Sequence, residues 1–158
     1  MPLWCDIGVN LFSSQFDADR PEVLQRAHGA GVAQLVLIGS DITESQRNTT
    51  FCQQHNGCFS TAGVHPHQAA AVPADWLKQL TLLLQQPAVV AVGECGLDFN
   101  RMFSPKDQQI RVFSAQLSLA KQLQKAVYLH ERDAFPDQIG LLKEQKLALF
   151  FSYVAASV

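Results

Sequence analysis

Eight polar residues stand where apolar runs of this sequence stop or turn, and their types are those of metal-dependent hydrolysis. His65 and His67 flank Pro66 just after Gly63-Val64, and Glu94 and Asp98 bracket Cys95-Gly96-Leu97 after the run Val89 to Val92. His130 and Arg132 follow Ala126 to Leu129, and Asp6 and Asn10 flank the end of the first run. Imidazole and carboxylate together make a donor set suited to divalent cations. Glu94 is the sharpest signal, because an unpartnered carboxylate at the end of an apolar strand costs roughly several kcal/mol. Its partner is either a metal or a structural salt bridge, with Arg132 as the candidate. The others have ordinary readings too. His65 and His67 fit a solvated loop pair, and His130 fits a satisfied core histidine. His28 and His55 lie in or at the ends of helices and read as surface residues. Cys95 is next to Glu94, where a thiol can ligate a soft metal, and is expected to pack instead.

The elements that must position these groups alternate along the chain. Leu3 to Val9 reads as a strand, and Pro21 at a first helical position opens a helix that runs to His28. Val32 to Ile38 is a buried strand, followed by a helix from Thr43 to His55 with Asp41 or Thr43 as its cap. Cys58 to Ala62 is a short strand, Ala74 to Gln86 a leucine-rich helix, and Ala88 to Val92 another strand. A long helix runs from Lys106 to Gln124, with Ile110, Phe113, Leu117, Ala120 and Leu123 on one face. Ala126 to Leu129 is a strand and Phe135 to Lys146 the last helix. Strand and helix in repeated alternation predict a parallel sheet with helical crossovers. Strands buried on both faces read as unbroken apolar runs, as three of these do. No GxGxxG follows the first strand, which argues against an open dinucleotide fold and favours a TIM-type (β/α) barrel. In such a barrel the polar positions named above all reach one rim.

Composition sets outer bounds. The chain has 158 residues, 47% of them hydrophobic and 16% charged, which fits one globular domain with a full core. A formal net charge of -2 supplies no basic field for bulk nucleic-acid binding. It does not argue against an enzyme that meets phosphate through a metal. No run approaches a membrane span, and the N-terminus shows no secretory pattern, so a cytoplasmic location is expected. Cys5, Cys52, Cys58 and Cys95 lack CxxC spacing and are expected to be buried, reduced thiols.

Four segments taken together resemble the TatD family of metal-dependent deoxyribonucleases: Asp6-Ile7-Gly8-Val9-Asn10-Leu11, Ala62-Gly63-Val64-His65-Pro66-His67, Val92-Gly93-Glu94-Cys95-Gly96-Leu97-Asp98 and Leu129-His130-Glu131-Arg132-Asp133-Ala134. The resemblance covers about residues 3 to 146. It implies an amidohydrolase-like (β/α) barrel and 3′-5′ exonuclease hydrolysis of single-stranded DNA or RNA, with a place in DNA repair. It further implies Mg²⁺ as the cofactor, with Mn²⁺ or Zn²⁺ as substitutes. Glu94 is then the catalytic residue and a metal ligand, and His130 a second ligand. His65, His67, Asp6, Asn10, Asp98 and Arg132 are implied to bind substrate or support the ligands.

Two departures from the family pattern qualify this. The His-x-His pair that many members carry at the first strand is replaced by Gly8 and Asn10, which implies a weaker first site. The later His-x-Phe-Ser/Thr-Gly and Thr-Asp-x-Pro motifs are not present, and residues 147–158 form an apolar tail that departs from the family. Residues 1–158 therefore read as a single, C-terminally shortened domain, an incomplete barrel of about five to six βα units of eight. If Lys146 to Ser152 were encoded aag-ctg-gca-ttg-ttt-ttc-agt, a frame one base later would read Ser-Trp-His-Cys-Phe-Ser, so a frameshift is one explanation of the tail. An open barrel has unpaired edges, and marginal stability or self-association through them is expected, together with weak metal binding and little turnover. The alternatives are another amidohydrolase-like enzyme, a lactonase or amidase, and an inactive remnant.

Overall fold

A computed structural model of the chain describes residues 3–146 and 150–154. Six parallel strands form one sheet in the order β1 to β6: β1 (Trp4–Val9), β2 (Val32–Leu37), β3 (Cys58–Ala62), β4 (Val89–Asp98), β5 (Ala126–Arg132) and β6 (Phe150–Val154). The helices between them are α1 (Arg20–Gly29), α2 (Ile42–Gln54), α3 (Trp76–Leu84), α4 (Lys106–Leu123) and α5 (Phe135–Gln145). Spatial order follows chain order without reversal, which separates this sheet from a doubly wound one. Successive right-handed crossovers then stack every helix on the same face. The result is an α/β half-barrel, as the alternating pattern predicts.

Local chemistry explains the element ends. The Asp41 carboxylate accepts from the Glu44 backbone N–H at 2.7 Å and caps α2. Gln124 and Lys146 take left-handed backbone conformations (φ of 53° and 50°) and stop α4 and α5. Two strands run further than their apolar stretches. β4 continues through Glu94 to Asp98 and β5 through His130 to Arg132, so the polar residues belong to strands and not to the loops after them. Helix α3 is shorter than the leucine-rich stretch by two residues at each end. Residues 150–154 of the apolar tail pair in parallel with β5, from Val127 opposite Phe150 to Glu131 opposite Val154. The rest of the tail, 147–149 and 155–158, lies outside the described residues.

The main core lies between the outer face of the sheet and α3 and α4, around Leu80, Leu84, Val92, Phe113, Leu117 and Val127. A smaller cluster of Leu11, Leu35, Leu37, Cys52 and Cys58 packs under α2. The face of α4 expected to be apolar is so: Phe113, Leu117 and Ala120 are buried, and Ile110 and Leu123 pack half-buried against them. Among the described residues nothing covers the inner face of the sheet. Cys5, Ile7, Val36, Phe59 and Val90 line an apolar hollow there of about 350 Å³.

That open face corrects the expectation for Cys5, which is exposed on the edge strand β1, whereas Cys52, Cys58 and Cys95 are buried thiols. Burial pushes the Cys52 thiol up to about 12, with Cys58 nearby adding to the shift, and burial likewise raises Cys58. His55 is also corrected from a surface residue to a half-buried one. Its ring stacks on Phe51 at 3.7 Å, and Nδ1 lies 2.8 Å from the Phe51 carbonyl. His28 is exposed, as expected.

The two-sided character of the sheet makes a stability prediction. Phe113→Ala, in the covered core at 1% exposure, is expected to lower unfolding free energy by about 3–5 kcal/mol in urea titration. Phe135→Ala, 63% exposed, is expected to change it by no more than about 0.5 kcal/mol. Equal losses would mean that the assigned core does not hold the fold.

Candidate metal centre

Where β3, β4 and β5 end, a pocket of about 360 Å³ is lined by Ser40, His65, His67, Gln68, Glu94, Asp98, Arg101, His130 and Arg132. A larger groove of about 520 Å³ between α2 and α3 is walled by glutamines, threonines and aliphatic side chains with no titratable group. The chemistry is therefore in the first pocket. Parallel pairing of β4 with β5 sets Gly96 opposite His130 and Asp98 opposite Arg132, with a register shift between Val92 and Cys95 around Glu94. Glycine is required at two points of this stretch. Gly93 has φ of 140° and Gly96 φ of 148°, and a Cβ there would come within 2.2 Å of the Tyr128 carbonyl oxygen and 1.9 Å of that of His130. Side chains at these points would push β4 away from β5 and separate the polar groups.

The histidine tautomers follow from the hydrogen-bond network. Nδ1 of His65 accepts from the His67 backbone N–H at 3.2 Å, so its proton sits on Nε2, which faces Glu94 Oε1 at 3.9 Å. Burial lowers the His65 pKa to about 4, against the opposing pull of Glu94, so the ring is neutral near pH 7. Asp98 is fully buried, which by itself raises its pKa. Hydrogen bonds from the Arg101 backbone N–H, the His67 ring and the Asn100 backbone N–H outweigh that and hold it at about 2. The carboxylate is thus charged, and His67 Nε2, 2.7 Å from its Oδ2, is the donor.

His130 is the informative residue. Its Nδ1 lies 3.2 Å from Glu94 Oε1, which accepts its proton. Its Nε2 is buried and has no hydrogen-bond partner, and Asp98 Oδ2 is 3.4 Å away. A buried ring nitrogen left without a hydrogen bond this close to a carboxylate is unfavourable, and a cation seated against both would satisfy them. Donor atoms of His65, His67 and His130 all lie within 4.8 Å of one another. The residues present therefore fit a metal ion. His130 is not the satisfied core histidine of the ordinary reading.

The other expected site residues divide. Arg132 lines the pocket but makes no salt bridge to Glu94, whose ionic partners among the described residues are His65 and His130. Asn10 is exposed and lines a neighbouring hollow of about 320 Å³ shared with Glu44 and Glu94. Asp6 is away from both. It is exposed within β1, and its carboxylate accepts from the Gly8 backbone N–H at 3.1 Å. Cys95 packs, as expected: it is fully buried, its thiol is pushed up by burial and by Glu94, and its Sγ lies 3.8 Å from the Tyr128 carbonyl.

Three buried glutamines escaped the sequence reading. Gln116 accepts from the Val64 N–H at 2.8 Å and donates to the Val64 carbonyl at 3.0 Å, gripping the backbone just before His65. Gln109 does the same for Asp98, at 2.8 and 3.0 Å, and Gln138 accepts from the Leu97 N–H at 2.9 Å. Each amide satisfies buried backbone groups at or just beyond a strand end. The available signal was position: residues 109 and 116 are seven apart and share the apolar face of α4 with Val112 and Phe113.

The family model described as "TatD related DNase" matches residues 5–154. The chain is 49% identical over 139 residues to the protein of Erwinia amylovora named 3′-5′ ssDNA/RNA exonuclease TatD, covering 87% of this chain and 54% of that relative. A protein of the same name from Klebsiella pneumoniae is 49% identical over 138 residues, covering 87% and 52%. The crystal structure of YJJV, a TatD homolog from Escherichia coli K12, aligns with a TM-score of 0.80 at 27% identity, over 91% of this chain and 56% of that one. A hydrolase TatD family protein from Entamoeba histolytica aligns with a TM-score of 0.80 at 26% identity, over 91% and 55%. The chain spans about half the length of the curated relatives it matches.

Two outcomes are expected from this geometry. Between pH 6.5 and about 4 the unfolded chain binds a proton at His65 that the folded chain refuses, and between pH 3.8 and about 2 the same holds at Asp98. Stability therefore falls as pH falls through both windows. His65→Asn should flatten the upper window in urea titrations at stepped pH, and an unchanged slope would assign the loss to other groups. Gln116→Leu strands the Val64 N–H and carbonyl, and a destabilisation of about 1–3 kcal/mol is expected by the same measurement.

Proposed function

The chain belongs to the TatD-related DNase family, and from that premise we propose that it carries the β3–β5 part of a centre that hydrolyses phosphodiester bonds in single-stranded DNA or RNA. The names of its relatives support a 3′-5′ exonuclease direction. The observation that carries the reading is the buried, unpartnered Nε2 of His130 between two carboxylates. His130, through Nε2, and Asp98 would hold a divalent ion, and Glu94 would act on it through the opposite nitrogen of the His130 ring. We assign Mg²⁺ on the oxygen donors, and the imidazoles admit Mn²⁺ or Zn²⁺. Such an ion supplies Lewis acidity toward a phosphoryl oxygen and lowers the pKa of a coordinated water.

The chain's own residues do the rest. Glu94 fixes the His130 ring by accepting its Nδ1 proton, which leaves Nε2 as a ligand atom. Asp98 orients His67 in the same way. His65 is neutral and carries its proton on Nε2, so it is available to donate to a phosphate oxygen. Arg132 and Arg101 bring cationic charge to an anionic substrate. Asp6, through its bond to the Gly8 N–H, would support the irregular end of β1, and Asn10, at the rim of the adjoining hollow, is a further contact. We place the reaction in the cytoplasm, in nucleic-acid processing such as DNA repair. Among the described residues no helix is long and apolar enough to cross a membrane. The exposed β1 edge, with Trp4 and Ile7 open to solvent, supports self-association of the chain.

Metal titration followed by nuclease assay tests the proposal. Calorimetry with Mn²⁺ is expected to give a saturable site that His130→Ala abolishes. Mg²⁺-dependent release of mononucleotides from the 3′ end of a single-stranded oligonucleotide is expected to be lost in Glu94→Ala. Turnover of lactones or amides in place of oligonucleotides would move the chain to another hydrolase class. No saturable metal binding would mark a site without chemistry.

A further inference from the structure

We propose that Phe103 and Arg101, on the loop between β4 and α4, form a subsite that stacks one base of a single strand and binds its phosphate beside the histidine cluster. The inference rests on the nuclease reading and names where its substrate lies. Phe103 is 66% exposed, among the largest apolar surfaces that the described chain leaves open. A single exposed phenylalanine is ordinary by itself. This one has its ring 4.7 Å from that of His67, at 78° to it, on the margin of the pocket.

The loop that carries it is pinned at both ends. On one side, Asp98 Oδ1 accepts from the backbone N–H groups of Asn100 and Arg101 at 3.1 and 2.8 Å. On the other, the Ser104 hydroxyl accepts from the Ala70 N–H and donates to the His67 carbonyl, both at 3.0 Å, and Gln109 donates to the Ser104 carbonyl at 2.8 Å. Between them Met102 is held at φ of 51°, a left-handed conformation unusual for a residue with a side chain. An exposed aromatic ring on a tethered loop loses little freedom when a base stacks on it.

Charge points to the same occupant. Arg101 and Arg132 both line the pocket, and neither is ion-paired among the described residues. In a chain of net charge -2, two unpaired guanidinium groups beside a carboxylate-rich centre are suited to a phosphate backbone. An aromatic face next to such cations is the usual platform for single strands, since every base offers a π-face.

Fluorescence anisotropy tests this with two labelled phosphorothioate strands of equal length, one of thymidines and one of abasic residues, at low salt. Phe103→Ala is expected to weaken the thymidine strand about tenfold and to leave the abasic strand unchanged. Phe103→Trp is expected to restore binding. Arg101→Ala is expected to weaken both strands and to reduce the salt dependence by about one counterion. Circular dichroism of each variant guards against misfolding; Phe103 is exposed, so its removal leaves no cavity. Thymidine binding that Phe103→Ala leaves untouched overturns the subsite alone. Failure of the unaltered chain to bind either strand overturns the subsite together with the nuclease reading.

Discussion

One imidazole between two carboxylates is the contact around which the described chain is organised. Glu94 Oε1 lies 3.2 Å from His130 Nδ1, and Asp98 Oδ2 lies 3.4 Å from Nε2 of the same ring. Negative groups gathered this closely in a part-buried pocket repel one another. The pocket keeps the Asp98 charge by giving it two backbone N–H donors and the His67 ring. The His130 Nε2, buried beside that carboxylate, is left without a hydrogen-bond partner. A cation is the simplest complement to that arrangement, and the family to which the chain belongs is one of nucleases.

Holding such groups together asks for rigidity where the sheet is least regular. Regular pairing is interrupted between Val92 and Cys95, and Val64 lies beyond the end of β3. An unpaired buried backbone amide is costly, so groups at such irregular points and strand ends need other partners. The side-chain amide of Gln116 binds the backbone of Val64, and those of Gln109 and Gln138 bind Asp98 and Leu97 at the end of β4. Two of the three come from the single helix α4. The face of that helix that packs the core thus also fixes the backbone on which His65 and Asp98 are mounted.

The same sheet is finished on one side and open on the other. Its outer face is covered by helices and buries Leu35, Leu37, Val92 and Val127. Its inner face leaves Ile7 and Val90 partly exposed around an apolar hollow. A barrel would cover that face with further strands, and the relatives are about twice as long. The residues of the candidate site come from β3, β4 and β5 and the segments that follow them, which are neighbours within the described sheet.

Much of this was legible from residue order. Unbroken apolar runs separated by amphipathic stretches require parallel strands with crossover helices, whatever the neighbours do. His65-Pro66-His67 just after Gly63-Val64, and Glu94 at the end of an apolar run, pointed to a polar site, because a carboxylate is not left unpartnered there. Other features depended on which atoms meet in space. Asp6 lies in sequence beside the same strand end as Asn10, yet its position on an exposed edge keeps it out of the pocket. Arg132 had the right charge to pair with Glu94, but strand register brought His130 and His65 there instead. The glutamine clamps and the unpartnered nitrogen of His130 arise from contacts between residues 11 to 52 positions apart, and the loop of Phe103 is tied at Ser104 to residues 34 and 37 positions away. Periodicity reports which face of an element is apolar; only packing decides which polar atom finds a partner and which is left without one.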